Sequence, residues 1–341
     1  MTDIDRRQFI VSGIGASALL LGVSSLSACS SPAADSAGSA ETSSSATATS
    51  VASPFGLPAV YLTSDISPAG LVAAYEALGV TLPGKVAVKI STGEPGGNNF
   101  LHPELIGDLV SKLQGTIVEC STAYQGKRST AAGSKKVAAD HGFTAIAPVD
   151  IQDADGEMTL PVRGGAHLDV NRVGASFKVY DSYLALSHFK GHSIAGLGGA
   201  LKNIGIGLAS ARGKGLIHSG GTKFSGLSSG AKQDTFLEAM TEAAGSVIDH
   251  LGNNIVYVNV AYRLSVDCDC DSHPASPTMA DIGVLSSRDP VALDQACVDL
   301  VKAAPDGADL VGRITSRNGL HALAYAEKLG LGSRKYQLLR I

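Results

Sequence analysis

The chain has 341 residues, a formal net charge of −4 and a hydrophobic fraction of 44%. This charge balance excludes a role that depends on a general attraction to polyanions, so nucleic acid is not an expected partner. Forty glycines and the lack of tryptophan indicate many tight turns and many places where backbone segments approach each other closely.

Residues 1–29 have the pattern of a twin-arginine export signal. Arg6 and Arg7 precede an apolar run that carries no charge before Asp35. The run ends in "LSAC", which resembles a lipoprotein box and predicts cleavage before Cys29 with lipid on its sulfur. A transmembrane anchor is the alternative, because the uncharged span is long enough, but its Gly and Ser content makes it weakly apolar. We therefore expect an exported protein that is anchored through Cys29 to the extracytoplasmic face of a membrane.

Two regions follow this signal. Residues 30–55 are rich in Ser, Ala and Thr and lack the apolar side chains that would offset the entropy of ordering. We expect this region to be a flexible tether between the membrane surface and the folded part. Residues 56–341 are long enough to form a single large domain.

Apolar, β-branched runs alternate with helical patterns along this domain. The predicted strands are 59–64, 85–90, 115–120, 143–149, 183–189, 254–260 and 281–287. The predicted helices are 67–79, 103–113, 129–141, 232–251, 290–303 and 319–330. Pro103 and Pro290 suit first helical turns, and Asp289 suits an N-cap. The alternation predicts an α/β fold, with a mainly parallel sheet and helices on both faces.

Three unusual segments come directly after predicted strands. They are "STGEPGGNNFLHP", with the candidate site residues Glu94, Asn98 and Asn99, and then "HFKGHS" and "CDCDSHP". Ligand sites in parallel sheets lie at the carboxyl ends of the strands. We therefore expect one site that is built from three strand ends.

The second of these segments opens a basic, glycine-rich segment, Ser187–Gly221. No Asp or Glu occurs from 182 to 233, and eight glycines fall between Gly191 and Gly215. Clustered positive charge and accessible backbone N–H groups favour a small anionic ligand, although no named phosphate loop is present. A solvated basic face is the alternative. The candidate anion-binding residues are Lys190, Gly196, Gly198, Gly199, Lys202, Asn203 and Arg212.

The third segment places two cysteines among acidic residues. If it is extended, Cys268 and Cys270 point to one face, and Asp267, Asp269 and Asp271 point to the other. Two thiolates could supply half of a site for a transition metal such as iron or zinc, and His188, His192 or His273 could complete it. Redox chemistry and a purely structural turn are the other hypotheses. An exported location permits disulfides, but this spacing argues against a relaxed bridge between the two cysteines.

The remaining cysteines give no sign of an iron–sulfur cluster. Cys120 lies in a predicted strand and Cys297 in a predicted helix, so we expect both to be buried packing residues. The chain contains no C-x-x-C motif and no ferredoxin-type cysteine run, so no four-iron cluster is expected within it.

Several long segments resemble the family called domain of unknown function 362. They include "KVAVKISTGEPGGNNFLHPELIGDLV", "LSHFKGHSIAGLGGALKNIGIG" and "VDCDCDSHPASPTMADIGVLSSRDPVALDQACVDLV". The resemblance covers roughly residues 85–340 and supplies no reaction. Many relatives insert a ferredoxin-like cysteine cluster after the part that matches "SARGKGLIHS". This chain reads "GGTKFSGLSSGAKQD" there, so the resemblance implies a variant without that cluster.

Three functions are compatible with these patterns. The first is a lipid-anchored metal- or redox-dependent enzyme that acts on a small anion. The second is a non-catalytic lipoprotein that binds a metal or an anion. The third is a subunit that works with a redox partner protein whose iron–sulfur cluster lies on another chain.

Overall fold

The structure is a computed structural model that describes residues 56–222 and 230–341. The predicted export signal, Cys29 and the predicted tether lie outside the described residues. Within the two described ranges, no helix has both the length and the apolar character needed to cross a membrane.

The described residues form twelve strands and nine α-helices. The strands are β1 (Ala59–Thr63), β2 (Val86–Lys89), β3 (Thr116–Glu119), β4 (Val149–Ile151), β5 (Glu157–Pro161), β6 (Val170–Gly174), β7 (Ser182–His188), β8 (Lys190–His192), β9 (Gly196–Gly198), β10 (Ile255–Ala261), β11 (Gly283–Ser287) and β12 (Gln337–Arg340). The helices are α1 (Pro68–Glu76), α2 (Pro103–Lys112), α3 (Ala131–Asp140), α4 (Ala200–Gly205), α5 (Ala211–His218), α6 (Gln233–Leu251), α7 (Pro290–Ala303), α8 (Ala308–Ser316) and α9 (Leu320–Lys328).

Eight of these strands form the central sheet, in the order β12-β1-β11-β10-β7-β2-β3-β4. Strand β11 pairs antiparallel with both of its neighbours, and the other pairs in the sheet are parallel. Two small antiparallel sheets, β5-β6 and β8-β9, lie outside it. The prediction of a mainly parallel α/β sheet is therefore confirmed.

Helices cover both faces of the sheet because its central strands are apolar on both sides. Every residue of β7 and β10 is buried. Alternate residues of β7 enter different cores: Tyr183 and Ala185 pack with α4, α6 and α7, whereas Leu184 and Leu186 pack with α1 and α2. This pattern is the period of two that a strand between two helical layers requires.

The predicted helix starts at prolines are confirmed. Pro103 and Pro290 occupy the first turns of α2 and α7. The Asp289 carboxylate accepts hydrogen bonds from the backbone N–H groups of Val291 and Ala292, as an N-cap does.

Two kinds of prediction were wrong or incomplete. The strand predicted at 143–149 is a short 3₁₀ turn at Phe143–Ala145, and β4 starts only at Val149. Strands β5, β6, β8, β9 and β12 and helices α4, α5 and α8 were not predicted. Most of these elements have nine or fewer residues and many glycines or polar residues, so they lack a clear apolar period.

The sheet brings four strand ends to one edge. Strands β10, β7, β2 and β3 run parallel and are neighbours in this order, so the segments that follow them leave the sheet on the same side. These segments start near Tyr262, Phe189, Ile90 and Cys120. The candidate site is built from them.

Candidate functional site

The segments "HFKGHS" and "CDCDSHP" lie against each other at this edge. The Gly191 N–H of β8 donates a hydrogen bond to the Ser265 carbonyl at 2.8 Å. A Cβ atom at Gly191 would lie only 2.3 Å from the Val266 carbonyl oxygen, so a side chain would force the two segments apart. The glycine therefore permits the contact that assembles the site.

Cys268 and Cys270 are joined by a disulfide bond. The two cysteines are therefore bridged, although their spacing argues against a relaxed bridge. Cys268 is 4% exposed, whereas Cys270 is half-buried and faces two cavities. Cys270 is therefore the more accessible residue of the disulfide.

His192 lies beside this disulfide, with its Nε2 atom 3.7 Å from the Cys270 Sγ atom. Its Nδ1 atom accepts backbone hydrogen bonds from Ile194 at 3.1 Å and Ala195 at 2.9 Å. Burial, followed by the charge of Lys202, holds the pKa of His192 well below its usual value. The ring is therefore neutral, and because Nδ1 is an acceptor, the proton is on Nε2 and points at the sulfur.

His192, Cys268 and Cys270 also form a group that could hold a metal ion, since their ligand atoms lie within 4.8 Å of one another. The hydrogen bonds fit this group only in part. A metal-bound imidazole usually donates a hydrogen bond from its other nitrogen, whereas Nδ1 of His192 faces two donors. The sulfurs would also have to be reduced, because thiolates bind metal. In this arrangement His192 is better placed to donate a hydrogen bond to sulfur than to bind a metal.

Three titratable side chains, His188, Lys190 and Asp269, lie together next to the disulfide. His188 Nδ1 is 2.9 Å from Asp269 Oδ1, and the Lys190 ammonium contacts the other oxygen of the same carboxylate. Burial alone would raise the pKa of Asp269, but Lys190 and His188 hold it well below its usual value. The aspartate is therefore ionised, and it fixes the loop between the two cysteines to β8.

His188 is buried but does not offer a nitrogen to a metal. Its Nε2 atom is 2.7 Å from the Tyr262 carbonyl oxygen, and its Nδ1 atom faces Asp269. Both ring nitrogens therefore already face a hydrogen-bond acceptor within the protein, and neither is directed at an open ligand position. The hypothesis that His188 is a metal ligand does not fit this arrangement.

The outer part of the cysteine segment forms a turn. Asp267 pairs with Arg313 and accepts a hydrogen bond from the Ala275 N–H, and Asp271 accepts one from the His273 N–H. His273 is exposed and does not belong to the candidate metal group of the described residues. Of the three predicted aspartates, only Asp269 contacts the basic segment.

A small cavity of about 70 Å³ lies directly against the disulfide. Its lining residues are Ser91, Ser187, His188, Lys190, Gly198, Gly199, Lys202, Asn203, Cys268, Asp269 and Cys270. Among the described residues, the Lys202 ammonium has no hydrogen-bond partner, unlike that of Lys190. Burial, followed by the charges of Lys190 and Lys89, lowers the pKa of Lys202 to about 7.

The backbone N–H groups that follow the glycine cluster already bind a carboxylate of the protein. The N–H groups of Ala200 and Leu201, at the start of α4, donate to the Asp294 carboxylate at 2.7 and 3.0 Å. A Cβ atom at Gly199 would lie 2.3 Å from an oxygen of that carboxylate. The protein therefore supplies its own anion at the start of α4, whereas Gly198 and Gly199 line the small cavity beside the disulfide. Gly196 lines neither cavity near the disulfide.

The other predicted residues are dispersed. The Arg212 side chain is 73% exposed and pairs with Glu157, away from both cavities. The Asn98 carbonyl accepts from Arg263, and Asn99 donates weakly to Ala275, so both hold loops together. Asn203 does reach the site: its amide donates to Ser187 Oγ and to the backbone carbonyls of β2 and β7.

A second, larger cavity of about 500 Å³ lies on the other side of Cys270, within the size range of small-molecule sites. It shares Ser91, Lys202, Asn203 and Cys270 with the small cavity. Sequence reasoning did not identify most of its polar lining, which includes Lys89, Glu119, Cys120, Thr122, Tyr124, Arg128, Lys214, His218 and Gln233.

A buried ion network supports one wall of this large cavity. Arg128 donates to Glu119 at 2.8 Å and to Glu94 at 3.2 Å, and the Tyr124 hydroxyl donates to Glu94 at 2.5 Å. Burial would raise the pKa of Glu119, but Arg128 and then Lys89 lower it. The predicted site residue Glu94 is therefore a partner of Arg128 and lines neither cavity.

Two more lysines on this side are held by neutral acceptors. The Lys89 ammonium donates to the Ile90 carbonyl and to Asn203 Oδ1, and the Lys214 ammonium donates to the Ala209 carbonyl. Burial lowers the pKa values of both, that of Lys89 to about 8. The signal that could have revealed Lys89 and Glu119 is a charged residue inside an otherwise apolar run, as in "KVAVKI" and "GTIVEC"; Lys214 has no such signal.

Cys120 and Cys297 are free and buried, as predicted. Burial raises the pKa of Cys120 to about 12, so its thiol is unreactive although it lines the large cavity.

Two solved structures are similar to this chain. The lactate racemase apoprotein from Thermoanaerobacterium thermosaccharolyticum has 13% sequence identity and a TM-score of 0.43, and the match covers 72% of this chain and 57% of that one. A Thermotoga maritima protein from the Northeast Structural Genomics Consortium has 11% identity and a TM-score of 0.42, covering 71% and 60%. This chain thus spans less than two thirds of either protein. No curated protein matches the sequence.

A sequence family does match, over residues 86–299, and its description is "Domain of unknown function (DUF362)". The matched region is more than half of the chain and runs from the start of β2 into α7. It contains both segments that meet at the disulfide. The chain belongs to the DUF362 family.

Proposed function

We propose that this protein is a redox enzyme whose Cys268–Cys270 disulfide exchanges electrons with a small anionic thiol. The observation that carries the proposal is the position of Cys270. Its sulfur faces both the small cavity and the 500 Å³ cavity, and Lys202 lines both cavities. A reactive disulfide therefore adjoins a space that is suited to a small anion.

The reaction balances as thiol–disulfide exchange. The thiolate of the substrate attacks Cys270 Sγ, the S–S bond breaks, and Cys268 leaves as a thiolate. A second substrate thiolate attacks the substrate sulfur of the mixed disulfide and releases Cys270. Two substrate thiols lose two electrons and become a disulfide, and the cysteine pair gains two electrons and two protons.

The neighbouring residues support each part of this exchange. The Nε2–H group of His192 is directed at Cys270 Sγ and can stabilise negative charge that develops there. The small cavity where the Cys268 thiolate forms is lined by Lys190 and Lys202. Asp269 neutralises Lys190 in the oxidised state, so Lys202 is the cation that remains for an incoming anion.

The proposed place of action is the extracytoplasmic membrane surface, through lipid on Cys29. Such an oxidising environment maintains disulfides, in agreement with a pair that works in the oxidised form. A redox partner protein on the same side would return the cysteine pair to the disulfide.

Metal binding is the second candidate function, because His192, Cys268 and Cys270 bring three ligand atoms together. With the cysteines reduced and His192 deprotonated at Nε2, the group would hold a soft transition metal such as zinc or iron. The protein would then be a metal-dependent enzyme or a metal-binding lipoprotein.

A cysteine variant tests the proposal with two disulfide probes, one dianionic and one uncharged. The Cys268→Ser variant retains Cys270, and we expect the dianionic probe dithiodiglycolate to form a mixed disulfide there. We expect this reaction to be about tenfold faster than that of uncharged hydroxyethyl disulfide at low salt. Intact mass spectrometry measures both rates, and the Cys297→Ser variant serves as the control that leaves the pair intact.

Equal rates for the two probes would contradict the anionic substrate. Reduced cysteines that hold one equivalent of zinc or iron in the isolated protein would replace the redox proposal with the metal site.

A further inference from the structure

The large cavity has a cationic wall. Lys89, Lys202 and Lys214 line it. Burial lowers the pKa values of Lys89 and Lys202, and the nearby charge of Lys214 lowers both further. Arg128 also lines it but is already paired with Glu94 and Glu119, and Glu119 is the only acidic residue among the described lining residues. Three lysines therefore remain with no carboxylate in direct contact.

The same cavity has an apolar wall. Ile206 and Phe236 belong to a buried apolar cluster against which Ala231 packs, and Ile194 also faces the cavity. The Ile194 side chain is 43% exposed, and Gln233 fixes its backbone by donating to its carbonyl at 2.8 Å. An apolar ligand group would therefore cover a side chain that solvent now reaches.

A flat ring extends this apolar wall. The His218 ring stacks on Phe236, with 4.7 Å between ring centroids and 17° between the planes. Burial, together with Lys202 and Lys214, lowers the pKa of His218 to about 4, so the ring is neutral. A neutral stacked pair offers a surface for aromatic or branched aliphatic groups.

From these two walls we infer that the natural ligand of the large cavity is an amphipathic anion, with a carboxylate or phosphate head and an apolar body. The inference rests on the anion-binding part of the proposed function and adds the second half of the ligand. The head lies against Lys89, Lys202 and Lys214. The body lies along Ile194, Phe236 and His218, and the edge of the ligand meets Cys270.

A small polar anion does not explain this arrangement. Such an anion would fill the 70 Å³ cavity, which Lys202 also lines, and would leave the 500 Å³ cavity and its apolar wall unused. A purely apolar ligand does not explain it either, because it would exclude water from three ammonium groups that have no anionic partner in direct contact, which is costly.

Four probe ligands measure the contributions of the anionic head and the apolar body separately. Each is titrated into the full protein by calorimetry, with control titrations into the same detergent without protein. Phenylpropionate carries both halves, propionate lacks the ring, and phenylpropanol lacks the charge. Phenyl phosphate carries a phosphate head in place of the carboxylate, so its affinity distinguishes a phosphate site from a carboxylate site. We expect phenylpropionate or phenyl phosphate to bind about tenfold more tightly than either single-half probe.

Two exposed apolar residues provide a matched pair of variants. Ile194→Glu places a negative charge in the apolar wall, and we expect it to weaken binding of the better probe about tenfold. Val179→Glu alters a side chain of similar exposure, 44%, that lines neither cavity near the disulfide, and should leave binding unchanged. Because both side chains are exposed, both variants should fold.

The outcomes are decisive in either direction. Equal affinity for propionate and phenylpropionate, or an unaffected Ile194→Glu variant, would overturn the amphipathic ligand. Tight binding of phenylpropionate with a disulfide that does not exchange would retain this inference and remove the redox chemistry. If the protein exchanges with dithiodiglycolate but binds phenylpropionate no more tightly than propionate, the redox chemistry is retained and the amphipathic ligand is rejected.

Discussion

At the residue scale, Lys202 lines both cavities, and among the cationic side chains of their described linings it is the one without a hydrogen-bond partner. Its surroundings are mostly cationic or neutral. The charged and titratable groups that act on it or that it acts on are Lys89, Lys190, Lys214, Asp269, His192 and His218. With a pKa of about 7, Lys202 is charged in mildly acidic solution and neutral in mildly basic solution.

This pKa predicts that anion binding weakens as the pH rises. A carboxylate probe such as phenylpropionate stays ionised throughout, so the loss reflects the protein. Between about pH 6 and about pH 8.5 we expect its affinity to fall roughly tenfold, because the ammonium form of Lys202 is lost. Lys89, with a pKa of about 8, adds to the upper part of this range. Calorimetry measures the profile, and Lys202→Met should give weaker binding that keeps only the part of the slope due to Lys89, at the upper end of this range. A wild-type profile without slope would remove Lys202 from the site.

The site residues show what a sequence reveals and what it does not. Lys190, Lys202 and the two cysteines stand out because acid-free and cysteine-rich segments are rare. His188 and His192 look alike in "HFKGHS", yet their hydrogen bonds give them different roles. Asp294 lies within a helix of ordinary composition, and only the folded chain brings its carboxylate to the start of α4.

At the element scale, the contact between β8 and the cysteine segment decides whether the site forms. Gly191→Ala places a Cβ atom against the Val266 backbone and should separate the two segments. We expect a loss of about 1–3 kcal/mol in the free energy of unfolding, together with slower disulfide exchange. Denaturant titrations and exchange rates measure both effects.

Helix α8 offers the control for this substitution. A Cβ atom at Gly312 meets no atom within 4 Å, so Gly312→Ala should be neutral or stabilise by up to about 1 kcal/mol. If Gly191→Ala behaves like Gly312→Ala, the close approach at β8 is not needed for the site.

Strands and helices could be predicted from the sequence where buried apolar residues recur at a regular spacing. The long apolar strands β7 and β10 and the proline-started helices α2 and α7 follow from local sequence. Strands β8 and β9 have three residues each and form a hairpin only because the cysteine segment and α8 pack against them. Such elements depend on tertiary contacts that a local pattern does not contain.

At the scale of the whole molecule, a DUF362 domain carries its site at the carboxyl edge of a mainly parallel sheet. The predicted lipid on Cys29 would hold this domain at a membrane surface. Replacing Cys29 by Ala should therefore release the protein from the membrane fraction or leave the signal uncleaved. Fractionation and intact mass test this expectation, and a variant that keeps its mass and membrane location would favour an uncleaved anchor.

The central claim is that the Cys268–Cys270 disulfide is a reversible redox pair in the folded protein. The most direct measurement equilibrates the protein in glutathione buffers of graded potential, quenches it, and counts alkylated cysteines by mass. We predict that Cys268 and Cys270 gain two alkyl groups together in one two-electron step and lose them on reoxidation, while Cys120 and Cys297 stay unmodified. A pair that opens only when the protein unfolds, or that stays reduced across the series, would contradict the claim.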